Sequence, residues 1–311
     1  MSTLTIFTPT YNRAHTLPRL CESLARQTLN DFLWLVVDDG STDGTRELVS
    51  GLQARAPFPI EYVFQVNQGK HNAHNTAVGC AHTELFLIID SDDELLPNAV
   101  EVIVSAWKRM TPHERTAIAG IWTLCRTPEG KVIGGSLPSD AFDMTLQELR
   151  FRHKDNREFM PAFETAVLRD HPFPVTPPGD CPFLPEDYVW TRITRTRAIR
   201  FLNVPCRIYH EGAGLLTMAR DQYRWSRPAA YGYFAPLTNE IEWFWYEPLT
   251  FLMSAVQAAR FGMFSGDFGK LAGALSWKAK LLVYSAVPVA MVLLWRDRLS
   301  GRIARQLGVA R

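Results

Sequence analysis

Hydrophobic and polar positions over the first 93 residues follow a repeating order. Thr3 to Thr8 alternates and is rich in β-branched residues, a strand pattern that Pro9 is expected to stop, and Thr10 to Arg13 reads as a loop before a helix from about Thr16 to Gln27. Phe32 to Val37 is a second apolar strand, closed by Asp38, Asp39 and Gly40, after which Ser41, Thr42 and Asp43 offer N-cap oxygens to a helix reaching about Ala54. Pro59 to Val66 predicts a third strand, Asn67 to Lys70 a loop, and His71 to Ala81 a third helix. Leu85 to Ile89 is an uninterrupted apolar run, suited to a strand buried on both faces of a parallel sheet, and it ends in Asp90, Asp92 and Asp93. Four strands alternating with three helices predict a parallel sheet with right-handed crossovers, and the polar strand ends gather on the edge where such sheets bind ligands.

The order then changes. A helix is expected from about Pro97 to Arg109, and Thr116 to Cys125 reads as a strand leading into a hairpin around Pro128 to Gly130, so the sheet becomes mixed. Residues 135–158 are polar and irregular apart from a short helix at Thr145 to Arg150. Residues 171–185 carry six prolines, and loops of such length are usually functional. Glu186 to Thr194 predicts a helix, and Ala198 to Tyr209 a last extended segment that runs into His210, Glu211 and Gly212. From about Met218 the chain is aromatic and helical, with Trp225, Trp243, Phe244, Trp245 and Tyr246 in a short span. Leu281 to Trp295 has no charge, contains Pro288, and lies between Lys278 and Lys280 on one side and Arg296 and Arg298 on the other. It falls short of the roughly 20 residues of a membrane span. Basic flanks with Trp277 and Trp295 at the ends fit a helix in a membrane interface, and the alternative is a helix packed on the core.

Composition narrows these expectations. At 311 residues the chain exceeds a usual single core, which suggests a unit over 1–217, with halves 1–93 and 94–217, and a helical region over 218–311. A net charge of +1 gives no field for nucleic acid, and no basic cluster is interleaved with aromatics. The five cysteines form no CxxC pair and read as reduced residues of a cytosolic protein. The start MSTLTIFTPT lacks the basic and apolar regions of a secretory signal, so a cytoplasmic location is expected. The turn after the first strand reads TPTYNR, without the glycines of a dinucleotide fingerprint, and the phosphate-loop pattern is absent.

Candidate chemistry centres on Asp90, Asp92 and Asp93. Carboxylates this close repel one another unless a cation or well-placed donors compensate them. A hard divalent metal bridging to substrate phosphate would do so. The plainer alternative is an acidic turn capping the helix that Pro97 begins.

Several motifs carry a resemblance. They are Thr-Tyr-Asn-Arg (Thr10 to Arg13), Ser-Leu-x-x-Gln-Thr (Ser23 to Thr28) and Val-Asp-Asp-Gly-Ser-Thr-Asp (Val37 to Asp43). Asn67, Gly69, Lys70, His71 and Asn75 follow, then the Asp-x-Asp of Asp90 and Asp92, and the pair Glu186 and Asp187 before Trp190. Over about the first 210 residues the chain resembles family 2 glycosyltransferases of the GT-A fold, an α/β/α sandwich with a mixed central sheet. The resemblance implies a nucleotide diphosphate sugar donor, Mg²⁺ or Mn²⁺, and inversion at the sugar. It implies nucleoside contacts from Pro9, Tyr11 and Asp39, diphosphate contacts from Arg13 and Lys70, and a metal on Asp92, with Asp90 holding ribose or a metal-bound water. His210 resembles a second metal ligand. Asp187 is the implied general base, with Glu186 capping or positioning beside it. The plainer readings are solvated side chains for Arg13 and Lys70, a structural role for His210, and helix-dipole acids for Glu186 and Asp187.

The implied acceptor is a glycan or lipid-linked hydroxyl in cell-surface polysaccharide or glycolipid synthesis; the basic and apolar residues of 277–311, apart from the resemblance, lead to an expected peripheral contact at the inner face of the cytoplasmic membrane. Gln222, Arg224 and Trp225 fall one residue short of the Gln-x-x-Arg-Trp pattern of processive synthases, which argues against processive synthesis. Two rivals stand beside this reading: a nucleotidyltransferase, which would release pyrophosphate, and a non-catalytic nucleotide- or glycan-binding protein.

Overall fold

The computed structural model describes residues 2–176, 184–210 and 227–299. The first half alternates as the hydrophobic pattern predicts through β1 (Leu4–Thr10), α1 (Leu17–Ala25), β2 (Phe32–Asp38), α2 (Thr45–Gln53), β3 (Ile60–Phe64), α3 (Lys70–Cys80) and β4 (Leu85–Ile88); a two-residue strand that the pattern does not show, β5 (Glu94–Leu95), then precedes the expected helix α4 (Ala99–Arg109). Then come α5 (Pro112–Ala117), β6 (Ile118–Arg126), β7 (Ala141–Met144), α6 (Leu146–Phe151), β8 (Phe159–Glu164), α7 (Thr165–Asp170), α8 (Asp187–Ile193) and β9 (Ala198–Ile208). The C-terminal part holds α9 (Arg227–Asn239), a 3₁₀ turn (Ile241–Tyr246), α10 (Pro248–Ser265), α11 (Phe268–Gly273) and α12 (Trp277–Leu299).

One nine-stranded sheet runs β3-β2-β1-β4-β8-β6-β9-β5, with β7 paired to β9. The β1–β4 and β1–β2–β3 pairings are parallel, whereas β8 lies antiparallel between β4 and β6. Pro9 does not stop β1. Its pairing with β4 ends at Phe7 and Ile88, while pairing with β2 continues to Thr10 and Asp38, so Pro9 sits where the strand has a neighbour on one side only. A proline is tolerated there because no ladder on the free side needs its missing N–H. The helix after β2 starts at Gly44 rather than on an Asp43 cap, although Asp43 Oδ1 accepts from Thr45 N at 3.2 Å.

Burial divides along the strands by alternation, as a sheet covered on both faces requires. Leu85, Leu87 and Ile89 pack with α1 and α4 residues such as Leu20, Ile103 and Trp107, and Phe86 and Ile88 pack on the other face with Ala73, Ala77 and Trp190. That second cluster extends without a break through Phe234, Phe251, Ala259, Val283 and Leu294. The C-terminal helices therefore share a core with the sheet. The Gln222, Arg224 and Trp225 pattern, the Glu211 and Gly212 ending, and residues 300–311 lie outside the described residues.

Candidate active site

The loops after β1 and β2 are knitted into one wall. Asn12 adopts φ 53°, a conformation its short polar side chain tolerates. Its N–H donates to Ser41 Oγ at 2.8 Å, its Oδ1 accepts from Thr42 N at 2.8 Å, and Ala14 N donates to Asp43 Oδ2 at 3.0 Å. Gly40, at φ 89°, allows the chain to cross the next loop: a Cβ there would lie 2.9 Å from Asn67 N. Tyr11 stands exposed on this wall. Asp39 is buried, and its carboxylate accepts from Gln65 Nε2 (2.7 Å), Gln68 N (2.8 Å) and Gly69 N (2.7 Å). Burial pushes its pKa up, the backbone and Gln65 donors acting against that. Asp39 thus ties the β2 edge to the loop that delivers Lys70.

Lys70, the first residue of α3, is the hinge of the charge arrangement. Its Nζ lies 2.7 Å from Asp90 Oδ1 and 2.9 Å from Glu186 Oε1, so one ammonium joins the end of β4 to the start of α8. Burial alone would lower the Lys70 pKa, but the Asp90 and Glu186 carboxylates reverse this and hold it above the ordinary lysine value. Asp90 also faces Arg207 of β9 at 3.3 Å. Burial works to raise its pKa, and Lys70 with Arg207 brings it below the usual carboxylate value.

Asp90, Asp92 and Asp93 each offer a carboxylate oxygen, all within 4.8 Å of one another. They are not equivalent. Asp93 is buried, accepts from Arg207 Nε at 2.7 Å and from His210 N at 3.0 Å, and so is taken up by the protein itself. Asp92 lies 3.5 Å from Arg13 Nη1, and its carbonyl accepts from Arg19. Asp92 is therefore the carboxylate least taken up by protein cations, and Asp90, whose two oxygens face Lys70 and Arg207, is its nearer partner for a hard divalent cation, which takes one or two carboxylates and fills the remaining positions with water and phosphate. The His210 ring is bonded to Glu94 Oε1 at 2.9 Å and does not belong to the carboxylate group.

Beside these groups lies a cavity of about 470 Å³ lined by Lys70, Asp90, Glu186 and Asp187, with Glu158, Arg157 and Arg207 on its polar side and Trp122 and Trp190 on its apolar side. Mixed polar and aromatic walls suit a small-molecule ligand with polar groups to be oriented. Asp187 is half-exposed, and Arg150 Nη2 holds it at 2.8 Å.

The sequence profile of glycosyl transferase family 2 matches residues 5–161, just over half of the chain. The chain belongs to that family. Among curated proteins it is similar to an uncharacterized glycosyltransferase of Nostoc sp., 35% identical over 105 residues, which covers 34% of this chain and 33% of that one. It is also similar to the GalNAc(5)-diNAcBac-PP-undecaprenol beta-1,3-glucosyltransferase of Campylobacter jejuni, 32% identical over 106 residues, covering 33% and 34%. A third relative is the chondroitin synthase of Escherichia coli, 34% identical over 106 residues, covering 34% and 15%. The chain spans about a third or less of the length of these relatives.

Likeness of fold extends further than likeness of sequence. S. aureus TarS 1-349 in complex with UDP-GlcNAc superposes with a TM-score of 0.57 at 17% identity, over 97% of this chain and 92% of that one. The mannosyltransferase PcManGT from Pyrobaculum calidifontis, in complex with GDP-Man and Mn²⁺, gives a TM-score of 0.50 at 17% identity, over 98% and 84%. The fold is that of the GT-A glycosyltransferases, as the motifs implied.

In this family 2 member the structure gathers Lys70, Asp90, Glu186 and Asp187 around one cavity, with Asp92 beside Asp90 and paired with Arg13. Pro9, Tyr11 and Asp39 fall on the neighbouring wall and His210 beside Glu94. Sequence reasoning missed Arg207, Glu158, Arg150 and Glu240. Arg207 carried a signal, since it is a charge inside an otherwise extended stretch, and in the structure it is 5% exposed against three carboxylates. Glu158, half-exposed and 3.3 Å from Arg207, lay in a stretch read as irregular.

Proposed function

We propose that this protein transfers a sugar from a nucleotide diphosphate sugar to a hydroxyl acceptor with inversion, with Asp187 as general base and a divalent cation, Mg²⁺ or Mn²⁺, on Asp92 and Asp90. The observation that supports it best is the double contact of Lys70. It brings the β4 carboxylates and the Glu186–Asp187 pair to one cavity, where a donor diphosphate and the acceptor face of its sugar would have to lie. UDP-GlcNAc and GDP-Man in the two solved relatives favour a donor of that class.

In the reaction so read, the acceptor oxygen forms a bond to the anomeric carbon while the bond from that carbon to the diphosphate breaks. The acceptor proton passes to Asp187, and the nucleoside diphosphate leaves. A bound cation would stabilise the negative charge growing on the leaving diphosphate. Lys70 and Arg13 reach the same charge from the protein side, which requires Lys70 to exchange one carboxylate for phosphate. Tyr11 and the Pro9 turn frame the base, and Asp39 holds the loop behind it with one carboxylate oxygen, Oδ2, bonded only to Gly69 N among the described residues. His210 would reach the cation only by giving up Glu94, so the metal reading rests on the two aspartates.

The acceptor is read as a glycan or lipid-linked hydroxyl, since relatives with matching segments are named for such products. Peripheral membrane contact fits α12, which among the described residues is the one helix long and apolar enough to cross a membrane by length and composition. Its Ala279, Val283, Ala286, Ala290 and Leu294 are buried, and Leu281, Val289, Val292 and Trp295 face outward. That division leaves an apolar face free to lie in a membrane interface.

A thermal-shift screen of UDP- and GDP-sugars with and without Mn²⁺ tests the donor reading. The expected result is stabilisation by one nucleotide class that grows with Mn²⁺ in the parent and not in Asp92→Ala. Equal stabilisation of both proteins with and without the cation would contradict it.

A further inference from the structure

We propose that Glu240, at the end of α9 in the C-terminal helical part, is a positioning residue for Asp187 and acts through Arg150. The proposal rests on the reading of Asp187 as general base given above. Arg150 Nη1 donates to both oxygens of Glu240 at 3.2 Å, and Nη2 of the same guanidinium donates to Asp187 Oδ2 at 2.8 Å. The two carboxylates differ in a way that gives the chain of contacts a direction. Glu240 is 1% exposed and fixed by packing, whereas Asp187 is 57% exposed and has rotamers to lose.

A guanidinium is a rigid planar fork, so anchoring one of its nitrogens on a buried carboxylate sets where the other points. Glu240 also takes a share of the Arg150 charge. Without it, that charge would be directed at Asp187 alone and would make Asp187 a poorer proton acceptor.

Residues beside this relay hold the same helix. Asn239 Nδ2 donates to Tyr188 O at 3.1 Å and to Thr191 Oγ1 at 2.9 Å, which pins the first turn of α8 to the end of α9. From α6, which carries Arg150, Gln147 Nε2 donates to Thr191 O at 2.7 Å and Gln147 Oε1 accepts from Thr194 Oγ1 at 3.0 Å. Two elements thus grip the backbone of α8, and the Glu240–Arg150 pair fixes the one side chain on it that meets the acceptor. A region without a recognisable motif of its own would be needed to complete the site.

The test uses the full chain and the UDP- or GDP-sugar that gives the parent the fastest release of nucleoside diphosphate with Mn²⁺. Steady-state kcat and donor KM are measured for Glu240→Gln, Glu240→Asp, Arg150→Met, the double variant Arg150→Met with Glu240→Gln, and Asp187→Asn, with thermal unfolding recorded for each. The expected result is a roughly 10- to 100-fold loss of kcat in Glu240→Gln, the scale of a misplaced catalytic group, with donor KM within about 2-fold. Glu240→Asp should recover part of the loss, and the double variant should be no worse than Arg150→Met alone, as for residues acting in series. A folded Glu240→Gln with parental kcat, a change in donor KM alone, or losses that multiply in the double variant would overturn the proposal. Should Glu240→Gln fail to fold, Arg150→Lys, which keeps the charge and loses the fork, must show the same selective fall in kcat. Unchanged turnover in Asp187→Asn would instead defeat the base assignment, and the relay with it.

Discussion

At the scale of single residues, the site is an exercise in charge compensation. Asp90, Asp93, Glu158 and Glu186 would repel one another, and Lys70 and Arg207 between them contact all four. Asp92, paired with Arg13 at 3.5 Å, is the member left with the loosest protein contact and so the best placed to take a cation. Asp92→Ala is expected to abolish turnover and the Mn²⁺-dependent part of donor binding, as read by calorimetric titration; full activity in that variant would remove Asp92 from the metal site. Asp187→Asn should leave donor affinity nearly unchanged while lowering kcat by roughly 100-fold or more, the scale of a lost general base. A loss that follows Glu186→Gln instead would exchange the two roles.

His74 makes a different residue-scale prediction. Its ring is buried among Phe7, Phe86, Phe173 and Trp190, neither nitrogen has a hydrogen-bond partner among the described residues, and burial, then Lys70, lowers its pKa to about 3. The folded protein therefore keeps it neutral at a pH where the unfolded chain, near its ordinary value of 6.5, takes up a proton. The His74 contribution to stability is nearly constant above about pH 6.5 and falls as pH drops from there toward about 3, by up to about 1.4 kcal/mol per pH unit. Between about pH 7 and pH 5 this amounts to roughly 2 kcal/mol. Urea unfolding of His74→Leu at the two values should show a correspondingly flatter dependence than the parent. Equal slopes would mean that His74 is protonated in the folded state.

At the scale of elements, legibility followed burial pattern. β1 to β4 and α1 to α4 could be read because their apolar positions have the period of the element and polar residues mark the ends. β8, Phe159–Glu164, was not singled out: its Pro161 and its position between two long polar stretches hide a strand that is buried and paired on both sides. β7 was missed because it is a short edge strand with alternate residues in solvent. The candidate site was legible where a motif is contiguous, as at Asp90 and Asp92 or Glu186 and Asp187. It was not legible where one partner stands alone in a distant element, since nothing local to Glu240 announces that Arg150 lies 3.2 Å away.

The membrane expectation for 277–311 also belongs at this scale, with residues 300–311 outside the described ones. Deleting the whole segment would uncover the α10 residues beneath α12 and break the Arg260–Asp297 pair, so substitution on the outer face is the cleaner probe. Leu281, Val292 and Trp295 changed together to serine should reduce binding to anionic vesicles without changing donor hydrolysis. Parental binding by that variant, or none by the parent at low salt, would assign the face to another partner.

At the scale of the whole molecule, one face of the sheet and the C-terminal helices form a single core, and Lys70 joins the carboxylate that follows β4 to the start of α8. The central claim is that this body breaks the bond between a sugar and a nucleoside diphosphate with the help of a cation on Asp92 and Asp90. Product analysis tests it most directly. Incubation with a panel of nucleotide diphosphate sugars, Mn²⁺ and candidate hydroxyl acceptors should release nucleoside diphosphate, with release lost in excess chelator and in Asp92→Ala. Release of pyrophosphate, or release of nucleoside diphosphate undiminished by the chelator, would contradict it.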